Sequence, residues 1–470
     1  MKDFKKSVLK TVVAVLVLAG VGSYAYFYEF KKGGEEKKKE EEAKRIFSFQ
    51  KDQVVEMEVT TGGRSALLKK SDGVWKIVKP VAVDADRSAV EGIINAMETF
   101  KVERMIEDKP SDLSAYGLDV PRTAVMLKTE DGRMSTLIFG VQNQFDNTWY
   151  VMKDGAPKVY QAPSSVRNSI DKDLFALREK RLFFFDKDQD VKKIEVRLPS
   201  EVYLLERAVN GDWDLTFGSG QKARMGKADS EEVSRILSSL RSLKASGVVA
   251  ENPGDLLSLG LGTGAGSIKI TKVSGAPEGL MISGKVKPGG RDVVLVKRDG
   301  SGTVFETGEK LIKDISKSDF DLMYKKLFSF NRDNVSGIVL ASDEGIITLS
   351  RESRDGGADV WYISRESGSE RKNARSYKVA SLLSALEGLK AAGIAGSGAR
   401  KTGLDKPSGS VTLTDGRGAV VGKVIFGKTE GESIFASSDA LVWVALMEKS
   451  KVDEIPWSGD DFVDEPTDGK

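Results

Sequence analysis

Three copies of one pattern run in tandem along this chain, and any fold or function assigned to it must be compatible with triplication. Phe47-Ser-Phe49, Phe183-Phe-Phe185 and Phe328-Ser-Phe330 each open a unit. Each unit then passes through a Trp, an amphipathic stretch, a Gly-Leu turn and a Phe-Gly or Ser-Gly strand end, in that order. From Trp75, Trp213 and Trp361 to Gly117-Leu118, Gly260-Leu261 and Gly403-Leu404 is 42, 47 and 42 residues. Gly140, Gly284 and Gly427 follow those turns by 23 or 24 residues, and the unit openings recur after 136 and then 145. Solenoid units run about 20–50 residues, so this period is that of a whole domain.

Composition narrows the chemistry. No His and no Cys occurs in 470 residues. That removes imidazole bases, Ser-His-Asp triads, His-ligated metals, disulfides and thiol nucleophiles, so no cofactor or metal site is expected. The 72 basic and 70 acidic side chains leave a net charge of +2. Such a balance lacks the basic field that a phosphate backbone selects, and nucleic acid is not an expected partner.

The first thirty residues read as a membrane anchor. Lys2, Lys5, Lys6 and Lys10 precede an apolar run from Thr11 to Phe30, with Tyr24, Tyr26, Phe27 and Tyr28 as a belt at the far interface. The lysines put the N-terminus in the cytoplasm and the bulk of the chain on the periplasmic side of the inner membrane. A cleaved signal peptide, with Ser23-Tyr24-Ala25 as its processing site, is the alternative. Lys31 to Arg45 is a charge-dense stretch with i,i+4 pairs such as Glu35/Lys39, and reads as a short stalk. The expected partition is therefore 1–30 anchor, 31–45 stalk, repeat domains at 46–182, 183–327 and 328–457 (the last shortened), and an acidic disordered tail at 458–470.

Within a repeat, periodicity gives strands near Val54–Val59, Ala66–Lys69 and Val74–Ile77, separated by Gly62-Gly63 and Ser71-Asp72-Gly73. A helix follows, with Val90, Ile93, Ile94, Met97 and Phe100 on one face. Val233, Ile236, Leu237, Leu240, Leu243 and Val379, Leu382, Leu383, Leu386, Leu389 stand at matching offsets. Further strands are expected near Ala124–Lys128, Ser135–Phe139, Trp149–Met152 and Lys158–Gln161. Short links call for mainly antiparallel pairing, so the expected class is α+β: a transmembrane helix followed by three α+β domains.

Gly73-Val-Trp75-Lys-Ile77, Leu113-Ser-Ala-Tyr116-Gly117-Leu118-Asp119-Val-Pro121, Leu137-Ile-Phe-Gly140, Trp149-Tyr150-Val151 and Leu177-Arg-Glu-Lys-Arg-Leu182 carry a resemblance. In their order they resemble the bacterial domain-of-unknown-function family 4340, best over residues 46–185. The resemblance implies a membrane-anchored accessory role beside gliding-type ABC transporter components, and it brings no catalytic residues. The second copy departs from it at Gly260-Leu-Gly262-Thr-Gly264, which lacks the Asp-x-Pro kept at Asp405-Lys-Pro407.

Candidate site residues are few. Asp84 and Asp86 before the first helix are candidates for the carboxylate pair that glycoside cleavage needs, but such a position ordinarily caps a helix. Asp460-Asp461 and Asp464-Glu465 fall in the acidic tail. Gly260-x-Gly262-x-x-Ala265 fits a loose nucleotide-loop pattern without a following helix, and Asn334-Val-Ser336 fits a glycosylation acceptor at a strand start. Trp75, Trp213 and Trp361 alternate with polar neighbours and read as core. Trp149 follows the polar loop Asn143–Thr148 and is the expected partner-contact residue. The functional expectation is a non-enzymatic, membrane-anchored scaffold docking on ABC transporter subunits, with no small-molecule ligand assigned. The alternative is a carbohydrate-active or wall-modifying enzyme using a carboxylate pair.

Overall fold

A computed structural model describes residues 2–26, 44–220, 223–286, 292–353, 359–365, 370–395 and 401–463. The chain divides into two compact units, Met1–Lys180 and Arg181–Lys470. The first holds one repeat and the second holds two.

In the first repeat the strands are β1 (Val54–Thr61), β2 (Arg64–Ser71), β3 (Val74–Lys79), β4 (Val83–Asp84), β5 (Arg104–Glu107), β6 (Thr123–Thr129), β7 (Met134–Gln142), β8 (Trp149–Lys153) and β9 (Ala156–Ala162). They form one antiparallel sheet in the order β4-β3-β2-β1-β6-β7-β8-β9-β5. The second repeat supplies β10 (Val191–Arg197), β11 (Val202–Arg207), β12 (Trp213–Phe217), β13 (Arg224–Lys227), β14 (Gly247–Glu251), β15 (Gly266–Lys272), β16 (Glu278–Val286), β17 (Val293–Arg298) and β18 (Thr303–Gly308). The third supplies β19 (Gly337–Ser342), β20 (Gly345–Glu352), β21 (Val360–Arg365), β22 (Lys372–Ala374), β23 (Gly393–Ile394), β24 (Gly409–Thr414), β25 (Val420–Glu430), β26 (Ser433–Ser438) and β27 (Ala445–Glu448). Both repeat the first sheet's order strand for strand.

The helices are α1 (Lys2–Ala25), α2 (Arg87–Glu98), α3 (Ser164–Ile170), α4 (Leu174–Leu177), α5 (Ser230–Ser242), α6 (Lys310–Ile315), α7 (Asp319–Leu322), α8 (Ser376–Gly388) and α9 (Lys449–Asp453). In each repeat one long helix, α2, α5 or α8, lies between the two edge strands in sequence and buries its apolar face. Val90, Ile93, Ile94 and Met97 do so in α2, and Val379, Leu382, Leu383 and Leu386 in α8. The chain closes each repeat the same way. The amides of Asp86, Asp229 and Arg375, each just before its long helix, donate at 2.8 Å to the carbonyls of Leu177, Leu322 and Phe462.

Two expectations need correction. The class is mostly β rather than α+β, with 41% of the described residues in strands against 23% in helices. The helices are single amphipathic layers on sheets that carry the architecture. The transmembrane anchor, and with it the single-pass inner-membrane placement, is overturned: among the described residues no helix is long and apolar enough to cross a membrane. Helix α1 begins within the lysine-bearing segment, so its apolar part runs from Thr11 to Ala25. At 1.5 Å per residue that is about 22 Å, against roughly 30 Å of hydrocarbon. Phe27 to Phe30, which extended the run in sequence, and residues 31–43 of the expected stalk lie outside the described residues. Lys44 and Arg45 belong to the first repeat: the Lys44 carbonyl accepts from Val102, and Arg45 bridges Lys101.

Residues 458–463, read from composition as the start of the tail, fold onto the third sheet. Phe462 is fully buried in that core, and Trp457 packs edge-on against Phe426 with centroids 6.0 Å apart.

Candidate functional site

The residues that recur between repeats build the fold. Trp75, Trp213 and Trp361 stand on the third strand of each sheet and are all buried. Arg207 covers the Trp213 ring at 4.4 Å. Phe47, Phe183 and Phe328 are buried at the start of each repeat.

The Gly-Leu turn seats on the sheet. Gly117, Gly260 and Gly403 have φ between 64° and 72°, the left-handed region that closes the turn. The turn rests on the strand that pairs with the one it leads into, β7 in the first repeat and β25 in the third, where Gly140 and Gly427 leave room: a Cβ at Gly140 would overlap the Tyr116 carbonyl oxygen, and one at Gly427 the Thr402 carbonyl oxygen. Strand register places Ser283, not Gly284, at this point in the second repeat, since Phe139, Ile282 and Phe426 face Val151, Val296 and Ala436. Ser283 Oγ accepts from the Leu295 amide at 2.9 Å and donates to the Gly284 carbonyl at 2.6 Å.

Trp149, the expected contact residue, begins β8 and is half-buried against the first core. The Arg167 guanidinium lies 4.6 Å from its ring and 5.5 Å from that of Phe139. Burial pushes the Arg167 pKa down, while Asp171, whose carboxylate lies 3.1 Å away, opposes that shift. The ring the hairpin presents to solvent is instead Phe145, which sequence reasoning missed and which is 98% exposed. Its loop is built from polar side chains: Asn143 Oδ1 accepts from the Phe145 amide at 3.1 Å, and Asp146 Oδ1 accepts from the Thr148 amide at 3.1 Å and hydroxyl at 2.6 Å. Val141 on β7 and Val120 in the Gly117 turn are also largely exposed.

Two of the candidate acids, Asp86 and Asp460, are committed elsewhere. Asp86 Oδ1 caps α2 by accepting from the Ala89 amide at 3.0 Å, and its other oxygen lies 3.3 Å from Lys180. Burial works against the charge, but the Ala89 amide and the Lys180 ammonium outweigh it and hold the carboxyl below its ordinary value. A general acid needs the opposite shift. Asp229 caps α5 in the same way, whereas Arg375 takes the position before α8 and makes no side-chain cap. Asp460 pairs with Arg365. Gly260 to Ala265 is the second seated turn and runs into strand β15, and Asn334 ends a 3-10 turn before β19. Among the described residues no group of three or more acids converges as metal ligands do.

Within the second unit, repeats two and three meet at a cluster that the sequence did not announce. Glu231 on α5 lies 3.9 Å from Lys326 and 3.6 Å from Lys390, and buried Glu232 pairs with Lys317 at 2.7 Å and with Arg235. Phe320 of α7 packs against the third core, edge-on to Trp443 with centroids 6.3 Å apart.

Three like sheets, each closed by its own last segment and carrying the same seated turn, define a tandem-repeat β protein. A family model described as Domain of unknown function (DUF4340) matches residues 75–228 and again 221–407. The chain belongs to that family. Each match opens and closes inside a sheet, the first running from Trp75 on β3 to Ala228 beyond β13, so the family's unit is offset from the structural repeat. Curated proteins offer no match to the chain. Among solved structures, the DNA polymerase III subunit beta from Pseudomonas aeruginosa is similar at 8% identity, over 84% of this chain and 93% of that one, with a TM-score of 0.13. The beta subunit from DNA polymerase of Streptococcus pyogenes gives 9% identity, 86% and 94% coverage, and a TM-score of 0.13. At that score the likeness carries no argument about this chain.

Proposed function

We propose that the chain is a non-catalytic scaffold whose three sheets present variable loop surfaces to protein partners, with ABC transporter subunits as the partners the family resemblance suggests. The observation that carries this reading is the division between shared and private residues. What the repeats hold in common at matching places, the tryptophans, the opening phenylalanines and the Gly-Leu turns, is core and turn. Much of what differs is surface, as at the exposed ring of Phe145 and at the cap position held by Asp86, Asp229 and Arg375. Copies that keep a frame and vary its surface suit reach and avidity, whereas a reaction centre needs the same polar groups kept together.

The test is affinity capture of the tagged full-length chain with identification of transporter subunits. Phe145→Ser should lower their recovery while leaving the thermal transition in place, because an exposed substitution costs within about 0.5 kcal/mol. Undiminished capture would remove the hairpin from the reading. Turnover of a glycan oligosaccharide that disappears in Asp84→Asn or Asp86→Asn would replace the reading with an enzymatic one.

A further inference from the structure

A cavity of about 380 Å³ opens in the first repeat between the β1–β2 hairpin and the segment joining α3 to α4. Val59, Ala66, Pro80, Leu174 and Phe175 give it an apolar lining, and Arg64 and Lys172 stand among its polar residues. The segment is latched in place, since Thr61 Oγ1 donates to the Lys172 carbonyl at 3.1 Å. Asp173, the acid at the cavity, is engaged as the cap of α4 and accepts from the Ala176 amide at 2.7 Å.

The other two repeats fill this place with their own side chains. Register makes Ala66, Tyr203 and Ile347 equivalent: they face Val59, Val196 and Leu340 across matching strand pairs. Tyr203 is buried, donates its hydroxyl to the Ile315 carbonyl at 2.7 Å, and stacks on Phe217 with the rings 6.4 Å apart and 7° from parallel. In the third repeat Ile347 is buried at the same place. The first repeat has an alanine there and a proline after β3. A frame that packs a phenol in one copy and leaves a lined cavity in another has room for a foreign group of similar bulk.

We propose that this cavity binds a medium-chain alkyl carboxylate, its chain on the lining of Val59, Ala66, Leu174 and Phe175 and its carboxylate on the Arg64 guanidinium. At about 30 Å³ per non-hydrogen atom, the share a water takes in the liquid, the space holds about a dozen such atoms. The lining is apolar enough to take a chain out of water. Lys172 and Asp173 offset one another in charge, and the Lys172 ammonium is turned to the Asn168 carbonyl at 3.0 Å. Arg64 is left as the cation for an anionic head, and its planar fork matches a carboxylate. The inference stands apart from the scaffold reading and can fail without it.

The experiment is isothermal titration of the full-length chain with octanoate and, in parallel, with octanol. Octanoate should saturate one site about tenfold more tightly than octanol, the ratio one charge-assisted hydrogen bond supplies. Ala66→Tyr, which imports the plug of the second repeat, should abolish binding of both. Arg64→Gln, at an exposed position that leaves folding intact, should bring octanoate down to the octanol level. Absence of saturable octanoate binding, unchanged binding in Ala66→Tyr, or a retained preference in Arg64→Gln would each overturn the proposal.

Discussion

Replacing Gly140 by alanine tests whether the Gly-Leu turn is seated on the sheet as described. The added Cβ overlaps the Tyr116 carbonyl oxygen and comes within 3.0 Å of Leu118 Cγ. Tyr116 belongs to a 3-10 turn whose next residue, Gly117, is held in the left-handed conformation, so the carbonyl cannot swing away alone. Two routes relieve the overlap. Straining strand and turn together costs about 1–3 kcal/mol, as overpacking does elsewhere. Lifting the turn exposes Leu118, now buried, at about 1.5–3 kcal/mol. The cheaper route sets the penalty, so local stability should fall by about 1–3 kcal/mol, a 5- to 150-fold increase in opening. Hydrogen exchange is the assay, because a chain of three repeats need not melt in one step. Amides of residues 113–121 and 137–142 should lose protection together. Gly284→Ala is the control: nothing lies within 4 Å of its Cβ, although sequence spacing aligns it with Gly140 and Gly427. Equal loss of protection in both variants, or none in Gly140→Ala, would refute the seat.

Trp213→Ala should cost about 3–5 kcal/mol and unfold the second repeat at lower temperature in a thermal melt. Asp229→Ala removes the α5 cap and should cost about 0.5–2 kcal/mol by urea denaturation, whereas Arg375→Ala, at a position without a side-chain cap, should cost less. Asp86 titrates below its ordinary value, so its contribution is complete above about pH 3.8 and is lost as pH falls through the lower folded value; acid unfolding of the first repeat should be shallower in Asp86→Asn. At the junction of repeats two and three, Glu231→Gln should shift stability by under about 1 kcal/mol, because its ion pairs are exposed, while Phe320→Ala should shift it more. Differential scanning calorimetry at two salt concentrations separates the two.

The frame was legible where it rests on repeated pattern. Trp75, Trp213 and Trp361 declare themselves by alternation, and the α2, α5 and α8 faces by helical spacing. The edge strands were not legible: Val83-Asp84 is too short to alternate, and Arg104 to Glu107 owes its state to pairing with β9 alone. Gly284 was matched to Gly140 because spacing counts residues, whereas β16 shifts register between Ile282 and Lys285 and puts Ser283 at the seat. The anchor failed on length among the described residues: the apolar count ran on to Phe30, whereas the described helix α1 spans Lys2–Ala25. Of the candidate site residues, Asp86 was readable as a cap, while the half-burial of Trp149 and the exposure of Phe145 on the same hairpin were not readable from the polar loop Asn143–Thr148. Ala66 gave no signal at all, for an alanine in an alternating strand reads as ordinary interior until Tyr203 is set beside it.

Strand β5 follows the first half of its sheet in sequence, yet it lies at the far edge and pairs only with β9, some fifty residues later. A nascent repeat therefore keeps one seam open until almost its entire length has left the ribosome, and the long-range closure comes last. A duplicated fragment that stopped short of β9 would leave β5 without its pairing partner, so a copy of the unit closes only when it is carried through to that strand.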